Sequence, residues 1–279
     1  MKRVLIKFSI ALALLAVAYL PTLRWMYERW VEAESYYGHG FLIPLISVYV
    51  VWQRRSALKK IAVSGSMVGL YIIAACLMVH IVCAALKVYF ISGFTFVIAL
   101  YGLILFFFGK EMTKNLIFPI FFLYAMIPLP LVLVGNLTVK LKLFAAQIST
   151  LLLNWVGFPS IRDGSVIRMP GSFIEVAAPC SGLRSIISLL TLGLIFAYAM
   201  KISFVKKAIL FLSSIPIAIA TNVMRIMAVA IVNDLYGGKV AMGTFHDVTG
   251  YAVFVVAFLL LLGVSRTLEG NRGQVKDEI

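Results

Sequence analysis

Apolar runs of about 20 residues recur along the whole chain, separated by short charged turns, and this pattern limits the fold more than any motif does. Such a run is what an α-helix needs to cross a hydrocarbon core of roughly 30 Å. Composition agrees: 13% of the 279 residues are charged, where soluble domains carry roughly 25%. The sequence predicts an all-α integral membrane protein of about eight transmembrane helices, at roughly 4–22, 40–53, 67–86, 88–108, 115–135, 183–200, 207–232 and 249–265. The second run is short, and Pro128 and Pro130 should kink or end the fifth. Met1-Lys2-Arg3 ahead of an apolar run resembles a signal peptide, but Pro21-Thr22-Leu23-Arg24 is a poor cleavage site, so an uncleaved first helix is expected. No separate soluble domain is visible, and residues 1–279 read as one polytopic domain.

The net charge of +14 would suggest nucleic acid in a soluble chain. Here the positive charges cluster in short loops between spans, with no basic patch interleaved with surface aromatics, so nucleic acid is set aside and the charges are read as an orientation signal. Lys2 and Arg3, then Arg54 to Lys60, then Lys110 and Lys114, then Lys201, Lys206 and Lys207 all fall on one side if the listed spans alternate. That places both termini in the cytoplasm. Residues 137–156 are apolar but carry Lys140, Lys142, Gln147 and Asn154. A crossing there would flip the later lysines outward, so the segment is expected to lie in the outer interface as an amphipathic helix, or to be re-entrant. Beyond it, Asp163-Gly164 sits between short β-prone stretches and predicts a small extracytoplasmic β-hairpin.

That hairpin feeds into Pro179-Cys180-Ser181-Gly182-Leu183-Arg184-Ser185, at the head of the sixth run. A helix N-terminus and a nearby cation both favour the thiolate. Arg225 lies about two turns inside the seventh run, on the order of 10 Å deep, and a charge so placed is usually functional. His246 precedes the eighth run. On the predicted topology all three lie at the outer face, where a thiol nucleophile, a histidine proton acceptor and a cation for the developing oxyanion would suit acyl transfer. Arg184 is a rival for the cationic role or an interfacial anchor. Asn222, three residues before Arg225, is placed to hold it, while Ser181 belongs to the cysteine motif and His39 sits near the outer end of the second run. Cys76 and Cys83 read as packing, and no disulfide framework is implied. Cys76, His80 and Cys83 share a helix face, but with no fourth ligand no metal or other cofactor is expected.

The chain resembles the exosortase/archaeosortase group of multi-spanning membrane transpeptidases. The resemblance rests on Tyr37-Gly38-His39-Gly40-Phe41-Leu42-Ile43-Pro44, on the stretch ending Leu151 to Gly157, on Pro179 to Ser185, on Asn222-Val223-Met224-Arg225-Ile226, and on His246 ahead of a final span. It implies Cys180 as nucleophile, His246 as acid/base partner and Arg225 as stabilising cation, with the catalytic half at about 157–266. It implies partners that are secreted proteins with a C-terminal sorting signal: a recognition motif, of Pro-Glu-Pro type in Gram-negative bacteria, then a membrane helix and a basic tail. An acceptor nucleophile of unknown identity, the plasma membrane and its lipid, and an association with exopolysaccharide production come with it. Some members carry an additional C-terminal domain, which is not expected here. The alternatives are a multi-spanning transporter, for which no internal repeat is visible, or an acyltransferase using the same thiol on a lipid or polysaccharide intermediate.

Overall fold

The structure is a computed structural model and describes residues 2–33 and 35–270. Packing divides the chain into two compact units, Met1–Pro130 and Leu131–Ile279. Among the described residues five helices are long and apolar enough to cross a membrane, or six if one bent pair is a single span. The expected count of eight is therefore not found. Several apolar stretches that read as continuous are broken or short, because hydropathy reports composition and not backbone continuity.

In the first unit, α1 (Lys2–Ala18) and α2 (Leu20–Val31) meet at a 70° bend. Pro21 is tolerated there because the first turn of a helix has no intrahelical use for its N–H. After α3 (Leu42–Gln53) come α4 (Met67–Ala85) and α5 (Tyr89–Phe108), which pack as a hairpin. At 12 residues α3 reaches about 18 Å, well under a full crossing. The expected span at 115–135 is replaced by α6 (Lys110–Asn115), α7 (Ile117–Phe122), a 3-10 turn over Leu123–Met126 and an extended stretch through Pro128 and Pro130. The prolines end the helix, as expected of residues without an N–H.

Polar side chains knit this unit where α1, α4 and α5 meet. His80 is buried and uses both ring nitrogens, Nε2 donating to the Ala18 carbonyl at 3.0 Å and Nδ1 facing Ser92 Oγ at 2.6 Å. Thr22 reaches the same Ser92 hydroxyl at 2.5 Å, and the buried Tyr19 ring stacks on His80 at 3.9 Å. In place of a metal set, Cys76 and Cys83 are free and buried, and His80 is committed to hydrogen bonds. Among the described residues no group of three or more possible ligands occurs.

In the second unit, the stretch expected as an interfacial helix is the larger part of a 25-residue helix, α8 (Leu131–Trp155), one of the five of spanning length. Its buried residues, Val134, Thr138, Ala145, Ala146, Ser149 and Leu153, leave Lys140 and Gln147 on the exposed side. Asn154 turns the chain at its end, donating to the Thr150 and Ser160 carbonyls and accepting from Ser160 N, each at 2.9 Å. The expected hairpin is a three-stranded antiparallel sheet, β1 (Ile161–Asp163), β2 (Val166–Met169) and β3 (Ser172–Glu175). Asp163 pairs with Val166 across Gly164-Ser165, and Met169 with Ser172 across Pro170-Gly171. The second turn extends the single hairpin that Asp163-Gly164 predicts. Ile167, Met169 and Ile174 face the core, and Arg168, Phe173 and Glu175 face out, the period of a half-buried sheet.

The remaining elements are α9 (Leu183–Ala199), α10 (Phe204–Tyr236) and α11 (Thr244–Gly270). α10 has 33 residues, about 50 Å of helix. Ser203 caps its start and Gly237, with φ +82°, ends it. Its last turns hold the sheet: Asn233 Nδ2 donates to the Phe173 carbonyl at 3.1 Å, and Ser172 Oγ to Asp234 at 2.9 Å. One core joins α8, the sheet and α10 through residues including Ala146, Leu153, Ile167, Val176 and Val223.

Replacing His80 by alanine removes its hydrogen bonds to the Ala18 carbonyl and the Ser92 hydroxyl, the latter keeping Thr22, and should cost about 1 kcal/mol per hydrogen bond lost. A lowered unfolding temperature for His80→Ala in detergent, larger than that of Cys76→Ala, is the expected result. Equal midpoints would show that the network contributes nothing.

Candidate active site

β3 leads through Val176 and Ala177 into a 3-10 turn over Ala178–Ser181, closed by Cys180 N donating to the Ala177 carbonyl at 3.0 Å. Gly182 then turns left-handed, at φ +85°, and starts α9. A side chain there would be strained and would also meet the Asn222 amide, at 3.1–3.3 Å. The close approach matters because Asn222 Nδ2 donates to the Cys180 carbonyl at 2.8 Å. Asn222 thus fixes the cysteine turn rather than Arg225, which corrects the sequence expectation. Ser181 is buried, and its Oγ accepts from Leu183 N at 3.3 Å.

His246 enters from the first turn of α11, with its N–H on the Gly243 carbonyl at 3.0 Å. Its Nε2 lies 3.1 Å from Cys180 Sγ. Arg225 Nη2 lies 3.1 Å from the same Nε2 and also donates to the His246 carbonyl at 3.1 Å. A guanidinium can only donate, so Nε2 is the acceptor here and points its lone pair at both Arg225 and the thiol. The three residues singled out in sequence, 45 and 21 positions apart in turn, therefore meet around one ring nitrogen. Arg225 sits against Gly250, where a Cβ would come within 3.1 Å of Nη2. Thr249 Oγ1 donates to the Phe245 carbonyl at 2.8 Å and reaches that of His246 at 2.9 Å.

Arg184, in the first turn of α9, is half-buried, and its Nε, like that of Arg225, is buried with no hydrogen-bond partner among the described residues. Burial pushes the Cys180 thiol above its ordinary value; the charges of Arg225 and then Arg184 pull it back down without cancelling the rise. The expectation of a resting thiolate is thereby corrected: desolvation outweighs the cations. His39 belongs to the first unit, where its ring stacks with Tyr37 at 6.3 Å and burial lowers its pKa.

A cavity of about 80 Å³ opens beside the thiol, between the β3 end (Ile174, Glu175, Val176) and Arg225, Met242 and His246. It holds the space of two or three waters, at roughly 30 Å³ each. Glu175, Met242 and Gly250 escaped the sequence reading. Only Gly250 left a signal, as a glycine four residues after His246 and thus on the same face of the helix.

Arg225→Gln should move the pH profile of Cys180 alkylation by iodoacetamide to higher pH, because it removes the largest influence holding the thiol down. Gly250→Ala should move it the same way by a smaller amount, by displacing the guanidinium. A profile unmoved in Arg225→Gln would dissociate the two groups.

No curated protein and no solved structure matches this chain. The family model described as transmembrane exosortase (Exosortase_EpsH) matches residues 30–263, which include Cys180, Arg225 and His246. With this match over most of its length and its several apolar helices, the chain is a multi-pass membrane protein of the transmembrane exosortase family.

Proposed function

We propose that the protein is a membrane cysteine transpeptidase that cleaves the C-terminal sorting signal of secreted proteins, with Cys180 as nucleophile. The observation that carries this reading is the shared Nε2: thiol and guanidinium both stand 3.1 Å from one imidazole nitrogen.

The chemistry follows from that sharing. Nε2 has one lone pair and two donors facing it. As Cys180 Sγ attacks the scissile carbonyl carbon, its proton passes to Nε2 and a C–S bond forms. Nε2 is then itself a donor, and the Arg225 Nη2–H is displaced from it toward the new negative charge on the carbonyl oxygen. The buried Nε of Arg225, without a protein partner, is a second donor for that oxyanion. On collapse the C–N bond breaks, the Nε2 proton goes to the leaving amine, and a thioester remains on Cys180. Water or an acceptor amine then attacks the thioester, gives its proton to Nε2, and releases the thiol. A raised thiol pKa fits a nucleophile activated by proton transfer at the moment of attack.

Lys201, Lys206 and Lys207 lie where α9 ends and α10 starts, opposite the Cys180 end of α9, and this supports an extracytoplasmic site with the end of α11 on the cytoplasmic side of a bacterial plasma membrane. A substrate tethered by its own membrane helix would diffuse in the plane of the bilayer and present its cut site at that surface. The cavity beside Cys180 admits a small group from an extended peptide, and Arg184 is a supporting cation for it.

Cys180→Ala should abolish cleavage of a signal-bearing substrate, read by intact mass after co-expression, while Cys76→Ala/Cys83→Ala keeps most activity. Arg225→Ala and His246→Ala should each lower turnover by about 10²–10³ while substrate binding holds. Arg225→Lys should also be poor, since an ammonium lacks the guanidinium fork. Normal turnover in either alanine variant would remove that residue from the mechanism. A fatty acyl group trapped on Cys180 in place of a peptide would favour the acyltransferase reading.

A further inference from the structure

The first unit contains a groove of about 650 Å³ that is remote in sequence from the cysteine site and plays no part in its chemistry. Its walls come from α1, α2, α3, α5, α6 and α7 and are almost entirely carbon. The Trp30 indole N–H is used on the Met126 carbonyl at 2.9 Å, and Ser47 is the one hydroxyl in the lining. An occupant of this wall is hydrocarbon.

Volume and length narrow the occupant. A 20-residue helix about 10 Å wide and 30 Å long fills roughly 2,400 Å³, several times the space available. The groove follows α5 from Phe96 to Phe108, about 18 Å at 1.5 Å per residue. That is close to the depth of one leaflet, about half of the roughly 30 Å core. The dimensions suit an acyl chain better than a peptide helix, which could seat only one face in the groove.

The two ends differ in charge. Leu5, Leu58, Phe108 and Met112 line one end and Trp30, Pro44 and Met126 the other. At the first end Phe8 packs edge-on against Phe108 at 5.0 Å, and Arg54 donates to the Asn115 carbonyl at 3.2 Å, so α1, α3, α5 and α6 converge there. The exposed Lys2, Arg3, Arg54, Arg55, Lys59 and Lys110 stand within four residues of the lining residues Leu5, Leu58 and Met112 at this end, Arg55 stacking on the Trp52 ring at 4.1 Å. Glu111 is the one acid among them, and it is tied to Lys114 at 3.0 Å. A basic rim over a hydrocarbon slot repels a peptide helix with a basic tail and attracts an anionic headgroup.

We propose that this groove is a lipid site that holds one acyl chain of an anionic phospholipid, its headgroup against the Arg54–Lys60 and Lys110 rim. Trp30, at the far end, reports the chain. The test uses the full chain with Trp30 as the single tryptophan (Trp25, Trp52 and Trp155 replaced by phenylalanine), in vesicles doped with bromine-labelled phosphatidylglycerol or phosphatidylethanolamine at equal mole fraction. Phosphatidylglycerol should quench Trp30 at lower mole fraction than phosphatidylethanolamine. Arg55→Gln/Lys59→Gln, at exposed sites, should weaken that preference roughly 25-fold, from about fivefold per charge. Leu100→Phe should reduce quenching by both lipids by narrowing the slot. Equal quenching by the two headgroups, or a preference that survives the charge change, would overturn the headgroup assignment. Trp30 unquenched by either lipid would overturn the site, and so would quenching by a brominated transmembrane peptide in place of lipid.

Discussion

A guanidinium placed within an apolar helix has to find its partners where it stands, and the second unit is arranged around that demand. Arg225 stands well inside α10, and an arginine at the centre of a span costs roughly 2.5–3.5 kcal/mol on insertion scales. Its Nη2 is satisfied by the backbone and ring of His246, so the start of α11 must lie against α10 at that height. Gly250 lets it do so by leaving room for the charge. Asn222, one turn earlier on α10, takes the Cys180 carbonyl and so brings the cysteine turn to the same level. The residue that most resists burial thereby determines which three elements meet and which atoms face one another.

The electrostatics of the thiol show why counting charges near a cysteine is insufficient. Two arginines lower its pKa, and a sequence reader who notes them expects a thiolate. Burial acts the other way and is larger. Its pKa is raised in consequence, and on the proposed mechanism the histidine nitrogen 3.1 Å away takes the proton.

How much of this is legible in the sequence depends on whether the signal is local. The membrane class follows from apolar runs and charge placement. Cys180, Arg225 and His246 stand out because each is unusual for its surroundings. Asp163-Gly164 announces the first turn of the sheet; Pro170-Gly171 forms the second. Span count is less legible. Pro128 and Pro130 end a helix as expected, and Pro21 is compatible with a new helix start, but the 70° bend at Tyr19 is set by contacts with His80 and Thr95, residues of α4 and α5 far along the chain. The partner of Asn222 is hidden in the sequence for a similar reason. Its spacing puts it beside Arg225, whereas its partner is set by a left-handed glycine some 40 positions earlier.

The length of α10 has a further implication. Its cap, Ser203, and Asn222 are 19 residues apart on one helix, about 28 Å of rise, close to the roughly 30 Å thickness of a hydrocarbon core. A helix of this kind is a depth gauge: with its capped end at one water boundary, the Cys180 carbonyl held by Asn222 stands near the opposite boundary, at a distance set by helical rise and by the bend that Pro216 introduces. Lipid chain length would then decide whether a substrate's peptide bond and the sulfur stand at the same height. On the proposed function, the composition of the membrane would help determine which bond is cut, acting through the thickness of the hydrocarbon core.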